Sequence, residues 1–232
     1  MKKKILIAED DPEVREVLIL YLEDAGYRAL PAADGEEGLR IAREESPDAA
    51  VIDIMIPIMN GFELIQELRT FSDIPIMILS ARAFEEDRIR GLSLGADVYM
   101  DKPFRPREVI AYMDAMLRRR ESAESRDQDF LSSGPFTLDP GRKELVYRED
   151  QRIALTAAEF TALEILMRWQ GKIFSKKQLY DQMFHEKTET DMNSVPVHIS
   201  NLRGKLRESG IQEELIETVW GLGYRVEKKQ DK

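Results

Sequence analysis

Glu9, Asp10, Asp53, Ser80 and Lys102 are residue types that can handle a phosphoryl group, and each stands at the end of an apolar run. Glu9 and Asp10 follow KILIA, Asp53 closes AAVID, Ser80 closes IPIMILS and Lys102 follows DVYMD. Unbroken apolar runs read as strands buried on both faces, as in a parallel sheet. Ligands of open α/β sheets bind at the carboxyl ends of the strands, so these residues gather at one rim. Three carboxylates crowded together repel, and either one is protonated or a cation binds. Hard oxygen ligands with few committed positions suit Mg2+, which keeps several waters and shares oxygens with a phosphoryl group. Lys102 offers its charge to one phosphoryl oxygen and Ser80 a hydroxyl to another. Together they describe a site where Asp53 attacks a phosphorus atom while Mg2+ and Lys102 absorb the charge. Taken singly, each has a plainer reading: a helix cap, a turn serine, a surface lysine. Their convergence on one sheet edge argues for function.

Elements able to hold that rim follow in order along the first half. Strands are expected at residues 4–8, 27–31, 49–53, 74–79 and 97–100. Helices are expected at 13–25 after Pro12, at 34–45 capped by Asp34, and at 60–70, 84–94 and 106–119. The first helix should turn Val14, Val17, Leu18, Tyr21 and Leu22 inward, and the second Leu39, Ile41 and Ala42. Five successive β-α units predict an α/β fold with a doubly wound, five-stranded parallel sheet.

Residues 121–134 are polar and pattern-free and read as a linker. Beyond it, short strands at 136–138, 144–147 and 152–155 precede a helix opened by a capping box, Thr156 to Glu159, with Phe160, Leu163, Leu166 and Met167 inward. A helix at 176–183 behind Ser175, a polar loop near 185–191, a helix at 193–208 and a hairpin around Trp220-Gly221-Leu222-Gly223 complete a winged helix-turn-helix of α+β class. The expected domains are 1–120 and 135–232.

Composition narrows the function further. No cysteine means no disulfides and no thiolate metal site. The basic start, Met1-Lys2-Lys3-Lys4, is followed by too short an apolar stretch for a signal peptide, and no segment approaches a membrane span. A cytoplasmic protein is expected. The net charge of −10, of which −7 falls in residues 1–120, argues against indiscriminate nucleic-acid binding but leaves room for a local basic face.

ILIAEDD, DAAVIDIMIPIMNG, PIMILSAR and GADVYMDKPF resemble the signatures of response-regulator receiver domains. LTAAEFTALEILM, FSKKQL, SVPVHISNLRGKLR and IETVWGLGYRV resemble the winged-helix output domain of the OmpR/PhoB subfamily, so the likeness covers nearly the whole chain. It implies a transcription factor rather than an enzyme, switched by a sensor histidine kinase. Asp53 would be the phospho-acceptor, and Asp10 and Asp53 Mg2+ ligands, with Glu9 acting through water and Met55 through its carbonyl. Lys102 would contact the phosphoryl group, and Ser80 and Tyr99 would form the switch pair, Tyr99 turning inward. Phosphorylation adds roughly −1.5 to −2 charge and would bias a bistable face built from the last two β-α units. In the family that face forms a two-fold homodimer. Arg88 with Glu108, and Asp97 with Arg119, match pairs across it. Val98 and Tyr112 stand where the family has another acid-base pair, which predicts a more apolar or weaker interface there.

In a helix-turn-helix, early residues of the recognition helix face bases. Ser194, Val197, His198, Asn201 and Lys205 recur at helical spacing, with Arg203 and Arg207 nearby and Arg225 on the wing. Ser, Asn and Arg suit base edges, while Lys205, Arg207 and His198 suit phosphates of double-stranded DNA. Ser200-Asn201 replaces the consecutive arginines frequent in the family, Pro196 constrains the helix start and Gly204 weakens its middle. Few phosphate-directed charges predict modest affinity per monomer, with dimerisation supplying much of the rest. His185 lies in the loop where the family contacts RNA polymerase. Two other functions compete. A small phosphotransferase or phosphatase using Asp53 is disfavoured by Met55, where haloacid-dehalogenase-like phosphatases place a second Asp. A protein-binding adapter is kept open by the weakly basic recognition helix.

Overall fold

A computed structural model describes residues 2–81, 84–125, 130–184 and 194–228, except the side chains of 119–125. The chain forms two compact units, Met1–Leu117 and Arg118–Lys232.

The first unit is built on β1 (Lys4–Ala8), β2 (Arg28–Ala32), β3 (Ala49–Asp53), β4 (Ile76–Ser80) and β5 (Val98–Asp101), all parallel in the order β2-β1-β3-β4-β5. Every residue of β3 and β4 is buried. That is why these runs lack alternation: helices cover both faces, and each buried Ile, Leu or Val contributes about 1.5–3 kcal/mol. The covering helices are α1 (Pro12–Asp24), α2 (Gly35–Glu45), α3 (Gly61–Leu68), α4 (Glu85–Ser93) and α5 (Pro106–Ser125). The doubly wound five-stranded sheet expected from the sequence is present.

Local chemistry sets where these helices begin. Asp11, not Glu9 or Asp10, caps α1 by accepting from Glu13 N and Val14 N. Asp34 caps α2, and Asn60 with Glu63 forms a capping box on α3. Gly61 lets α3 start against the acid-bearing strand: a Cβ there would lie 2.2 Å from the Asp53 carbonyl oxygen. On α1 only Leu18 and Leu22 of the expected inner face are buried; Val17 and Tyr21 are 40% and 37% exposed. On α2 Ala42 is buried, while Leu39 and Ile41 are half-buried. The stripe facing the sheet is narrower than the apolar sequence.

The second unit opens with the antiparallel sheet β6 (Leu131–Ser133), β7 (Phe136–Asp139), β8 (Glu144–Tyr147), β9 (Gln151–Ala154). Helices α6 (Ala157–Arg168), α7 (Lys176–Phe184) and α8 (Ser194–Glu208) follow, then the hairpin β10 (Glu217–Val219), β11 (Gly223–Arg225). Thr156 and Glu159 make the expected capping box. A bridge from Phe174 to Tyr224 pins the hairpin to the chain before α7. At that bridge only glycine fits position 223, where a Cβ would meet Phe174 O at 1.9 Å and φ is +141°.

The stretch 121–134 differs from a structureless linker. Helix α5 continues through Ser125, and residues 131–133 form β6, paired to β7. Glu121, Ser122, Ala123 and Glu124 do not oppose a helix, and a three-residue edge strand has too little period to register in sequence.

Candidate acidic pocket and nucleic-acid interface

The carboxyl ends of β1, β3 and β5 bring Glu9, Asp10, Asp53 and Lys102 together. Carboxylate oxygens of Glu9, Asp10 and Asp53 all lie within 4.8 Å of one another. Glu9 and Asp53 are buried, at 1% and 5% exposure, and Asp10 is exposed. The Lys102 ammonium stands between the two buried acids, 2.9 and 2.7 Å from the Glu9 oxygens and 2.5 Å from Asp53 Oδ2. Asp53 Oδ1 accepts from the Met55 amide at 2.9 Å. Burial pushes the Glu9 carboxyl above its usual range, partly offset by the hydrogen bond and charge of Lys102. Burial acts to lower the Lys102 pKa, but hydrogen bonds to Asp53 and Glu9 and their charge outweigh it, and the ammonium stays charged to higher pH.

This donor set fits a small hard cation: oxygen ligands only, two of them buried, the third open to solvent. Glu9, Asp10 and Asp53 are the candidate ligands.

Ser80, at the end of β4, is fully buried and hydrogen-bonds the Tyr99 side chain. Tyr99 is itself 2% exposed, so its ring already lies inward in this conformation. Burial raises its pKa, and the Ser80 hydrogen bond counters this. The Arg88 guanidinium lies 5.4 Å from the centre of the Tyr99 ring and bonds Asp101 Oδ2 at 2.9 Å.

In the second unit α8 turns Val195, His198, Ile199, Leu202 and Leu206 to the core. Several expected DNA contacts are therefore engaged inside the protein. Ser194 and His198 are buried, at 0% and 2% exposure. Lys205 bonds Glu159 Oε2 at 2.6 Å and the Ala154 carbonyl at 3.1 Å. Arg203 donates to the Ile216 carbonyl and the Thr218 hydroxyl, and Arg225 pairs with Glu217 at 2.6 Å. Arg207 is exposed, and Val197 and Asn201 are half-exposed. The outward face of α8 carries Val197, Ser200, Asn201, Gly204 and Arg207. The α8 residues expected to meet DNA belong to two different faces of that helix. The buried positions 195, 199, 202 and 206 were the signal that separates them, and they bring forward Ser200. At the wing tip Trp220 is 91% exposed and Leu222 60%. His185 lies outside the described residues.

Comparison with known proteins agrees with this architecture. Residues 5–114 match the response regulator receiver domain family, and residues 150–226 match the family described as transcriptional regulatory protein, C terminal. The response regulator GtcR of Aneurinibacillus migulanus is 40% identical over 238 aligned positions, covering 100% of this chain and 98% of its own. The transcriptional regulatory protein BaeR of Escherichia coli is 38% identical over 225, covering 97% and 92%. The chain is a response regulator of the OmpR/PhoB subfamily. A solved structure of a RitR mutant, 27% identical, superposes with a TM-score of 0.75 over 98% of this chain and 100% of that one.

As a response regulator it pairs a receiver with a transcriptional regulatory domain; the first implies a histidine kinase partner and the second DNA. Response regulators of this kind are transcription factors rather than enzymes. Among the described residues no helix is long and apolar enough to cross a membrane. On the face expected to dimerise, Glu108 is half-exposed and pairs with Arg105 at 3.7 Å, while Arg88 is turned to Asp101. Asp97 is not a surface acid. It is 2% exposed, accepts from the Ile76 amide at 2.7 Å and lies 3.4 Å from Arg69 Nη2. Arg69 in turn grips the Gly95 and Ser72 carbonyls. The chain needs that acid to satisfy the start of β4, so an Asp97–Arg119 pair between protomers has no free carboxylate here; the Arg119 side chain lies outside the description. Val98 and Tyr112, at 1% and 5% exposure, are likewise core residues rather than an apolar surface.

Proposed function

We propose that Asp53 accepts a phosphoryl group from a sensor histidine kinase, and that the acyl phosphate promotes dimerisation and sequence-specific DNA binding to regulate transcription. The observation that supports this most is Asp53 itself: a buried carboxylate at a sheet rim, within reach of two further acids and held by a lysine. Asp53 Oδ2 forms the new P–O bond as the P–N bond of the donor phosphohistidine breaks, and the imidazole leaves. Lys102, released from its double pairing, follows the new charge onto a phosphoryl oxygen. Ser80 exchanges its bond to Tyr99 for one to a second oxygen, which couples the site to β5. Mg2+, held by Asp10, Asp53 and the Met55 carbonyl with Glu9 through water, would neutralise the phosphoryl charge. The protein catalyses its own phosphoryl transfer and dephosphorylation and nothing else.

The receiver would end near residue 120 and the DNA-binding domain begin with β6 at Leu131. A dimer would use Arg88 and Glu108 across the interface. Val197, Ser200, Asn201 and Arg207 would face the major groove, with Trp220 and Leu222 on the wing. RNA polymerase would meet the loop near 185–191. Partners of these kinds place the protein in the cytoplasm.

The internal pairing of Lys205, Arg203 and Arg225 favours a second reading, an adapter whose winged helix binds protein. Gel shift on fragments of the source genome, with and without beryllofluoride and Mg2+, separates the two. A retarded, sequence-selective band that strengthens with beryllofluoride is expected. No selective band in either state would leave the adapter.

A further inference from the structure

Arg15 touches the acidic segment directly through its guanidinium. It lies in the opening turns of α1, and Nη1 donates to the carbonyls of both Glu9, at 2.6 Å, and Asp10, at 3.2 Å. Among the described residues it pairs with no carboxylate, so its bonding goes to the backbone of two residues of the acid cluster. That backbone lies between two fixed points. The Glu9 amide is the last tie to β2, donating to Ala32 O at 3.1 Å, and Asp11 already belongs to the cap of α1. The peptide between Glu9 and Asp10 therefore has neither strand nor helix to orient it. A planar guanidinium bonded to two successive carbonyls supplies that orientation, and with it the direction in which both side chains leave the chain.

We propose that Arg15 is a positioning residue for a divalent cation: it fixes the Glu9-Asp10 peptide so that the two carboxylates converge with Asp53. This rests on the reading of the acid cluster as a cation site. A purely electrostatic role makes the opposite demand. A positive charge beside a divalent cation repels it, and removing that charge would tighten binding.

The test is Mn2+ binding to the full chain, followed by the electron paramagnetic resonance of free Mn2+, for the wild type, Arg15→Met and Arg15→Lys. Labelling by acetyl phosphate is measured alongside as Mg2+ is varied. Losing an orienting partner of metal ligands costs about 10–100-fold in affinity, so Arg15→Met is expected at the lower end, a dissociation constant raised about tenfold. Arg15→Lys keeps the charge but is shorter and lacks the planar group that holds Nη1 against both carbonyls. It is expected to lose affinity several-fold, and it carries the test if the methionine variant does not fold. The labelling rate at saturating Mg2+ is expected to stay within about twofold of wild type, because Asp53 and Lys102 are intact. Unchanged or tighter Mn2+ binding in both variants would overturn the proposal, as would a slower saturating rate with unchanged affinity. Failure of the wild type to bind Mn2+ would instead remove the cation site itself.

Discussion

Lys205 separates a structural role from a DNA-contacting one. Its ammonium is 2.6 Å from Glu159 Oε2, and the Glu159 side chain is 2% exposed against 33% for Lys205. Replacing Lys205 with Met leaves a buried carboxylate without its counter-charge. Removing one partner of a fully buried pair costs about 3–5 kcal/mol. Here water reaches the lysine, and Glu159 keeps its bond from the Thr156 amide at 2.9 Å. Those two facts reduce the figure to about 2 kcal/mol. For a domain of this size that lowers the melting midpoint by about 8–16 °C. Both tryptophans, Trp169 and Trp220, lie in the second unit, so their fluorescence follows its unfolding in the full chain. Adding Glu159→Gln to Lys205→Met removes the orphaned charge and is expected to recover part of the loss. The salt dependence of DNA binding is expected to be unchanged. If Lys205 instead met a phosphate, the transition would stay in place and the slope of log affinity against log salt would become shallower by about one. That pair of results would refute the argument.

Other consequences follow from the receiver. Arg69→Met removes the tie between the Gly95 and Ser72 carbonyls and Asp97, and is expected to destabilise the first unit by about 2–3 kcal/mol. Urea unfolding followed by tyrosine circular dichroism should show it, with the tryptophan transition unmoved. Because burial lets Glu9 hold its proton above the usual value of 4.5, acidification removes its negative charge, and the acceptor for a bridging water, from beside the cation before an ordinary carboxylate would be neutralised. Mn2+ affinity is expected to fall as pH drops, the loss beginning above 4.5, and Glu9→Gln should flatten that profile. Without metal the sign is opposite for folding: the native state binds more protons in that window, so the Glu9 contribution to stability falls as pH rises through it. Glu108→Arg sets like charge against Arg88 and is expected to hold the beryllofluoride-treated protein at monomer mass in light scattering.

Much of this architecture was written in the hydrophobic pattern. Strands buried on both faces announce themselves as unbroken apolar runs, and the runs of β1, β3 and β5 led directly to the residues of the acidic pocket. Capping residues such as Asp34 and Thr156 marked helix starts because their chemistry is local. What pattern could not show was which polar side chains are already satisfied. Asp97 looks like any turn acid, and only the fold reveals that the Ile76 amide needs it. Lys205 and Arg203 look like DNA contacts until Glu159 and the Ile216 carbonyl are found beside them. Those partners lie 46 and 13 residues away, beyond any helical or strand period. Arg15 escaped notice for a different reason: it acts on backbone carbonyls, which carry no sequence signature.

The central claim is that Asp53 carries the phosphoryl group. Intact-protein mass spectrometry after incubation with acetyl phosphate and Mg2+, on the wild type and on Asp53→Asn, tests it most directly. One added phosphoryl group is expected on the wild type, lost when Mg2+ is chelated during labelling and absent from Asp53→Asn. Equal labelling of the two proteins, or none on a folded wild type at saturating Mg2+, would contradict it.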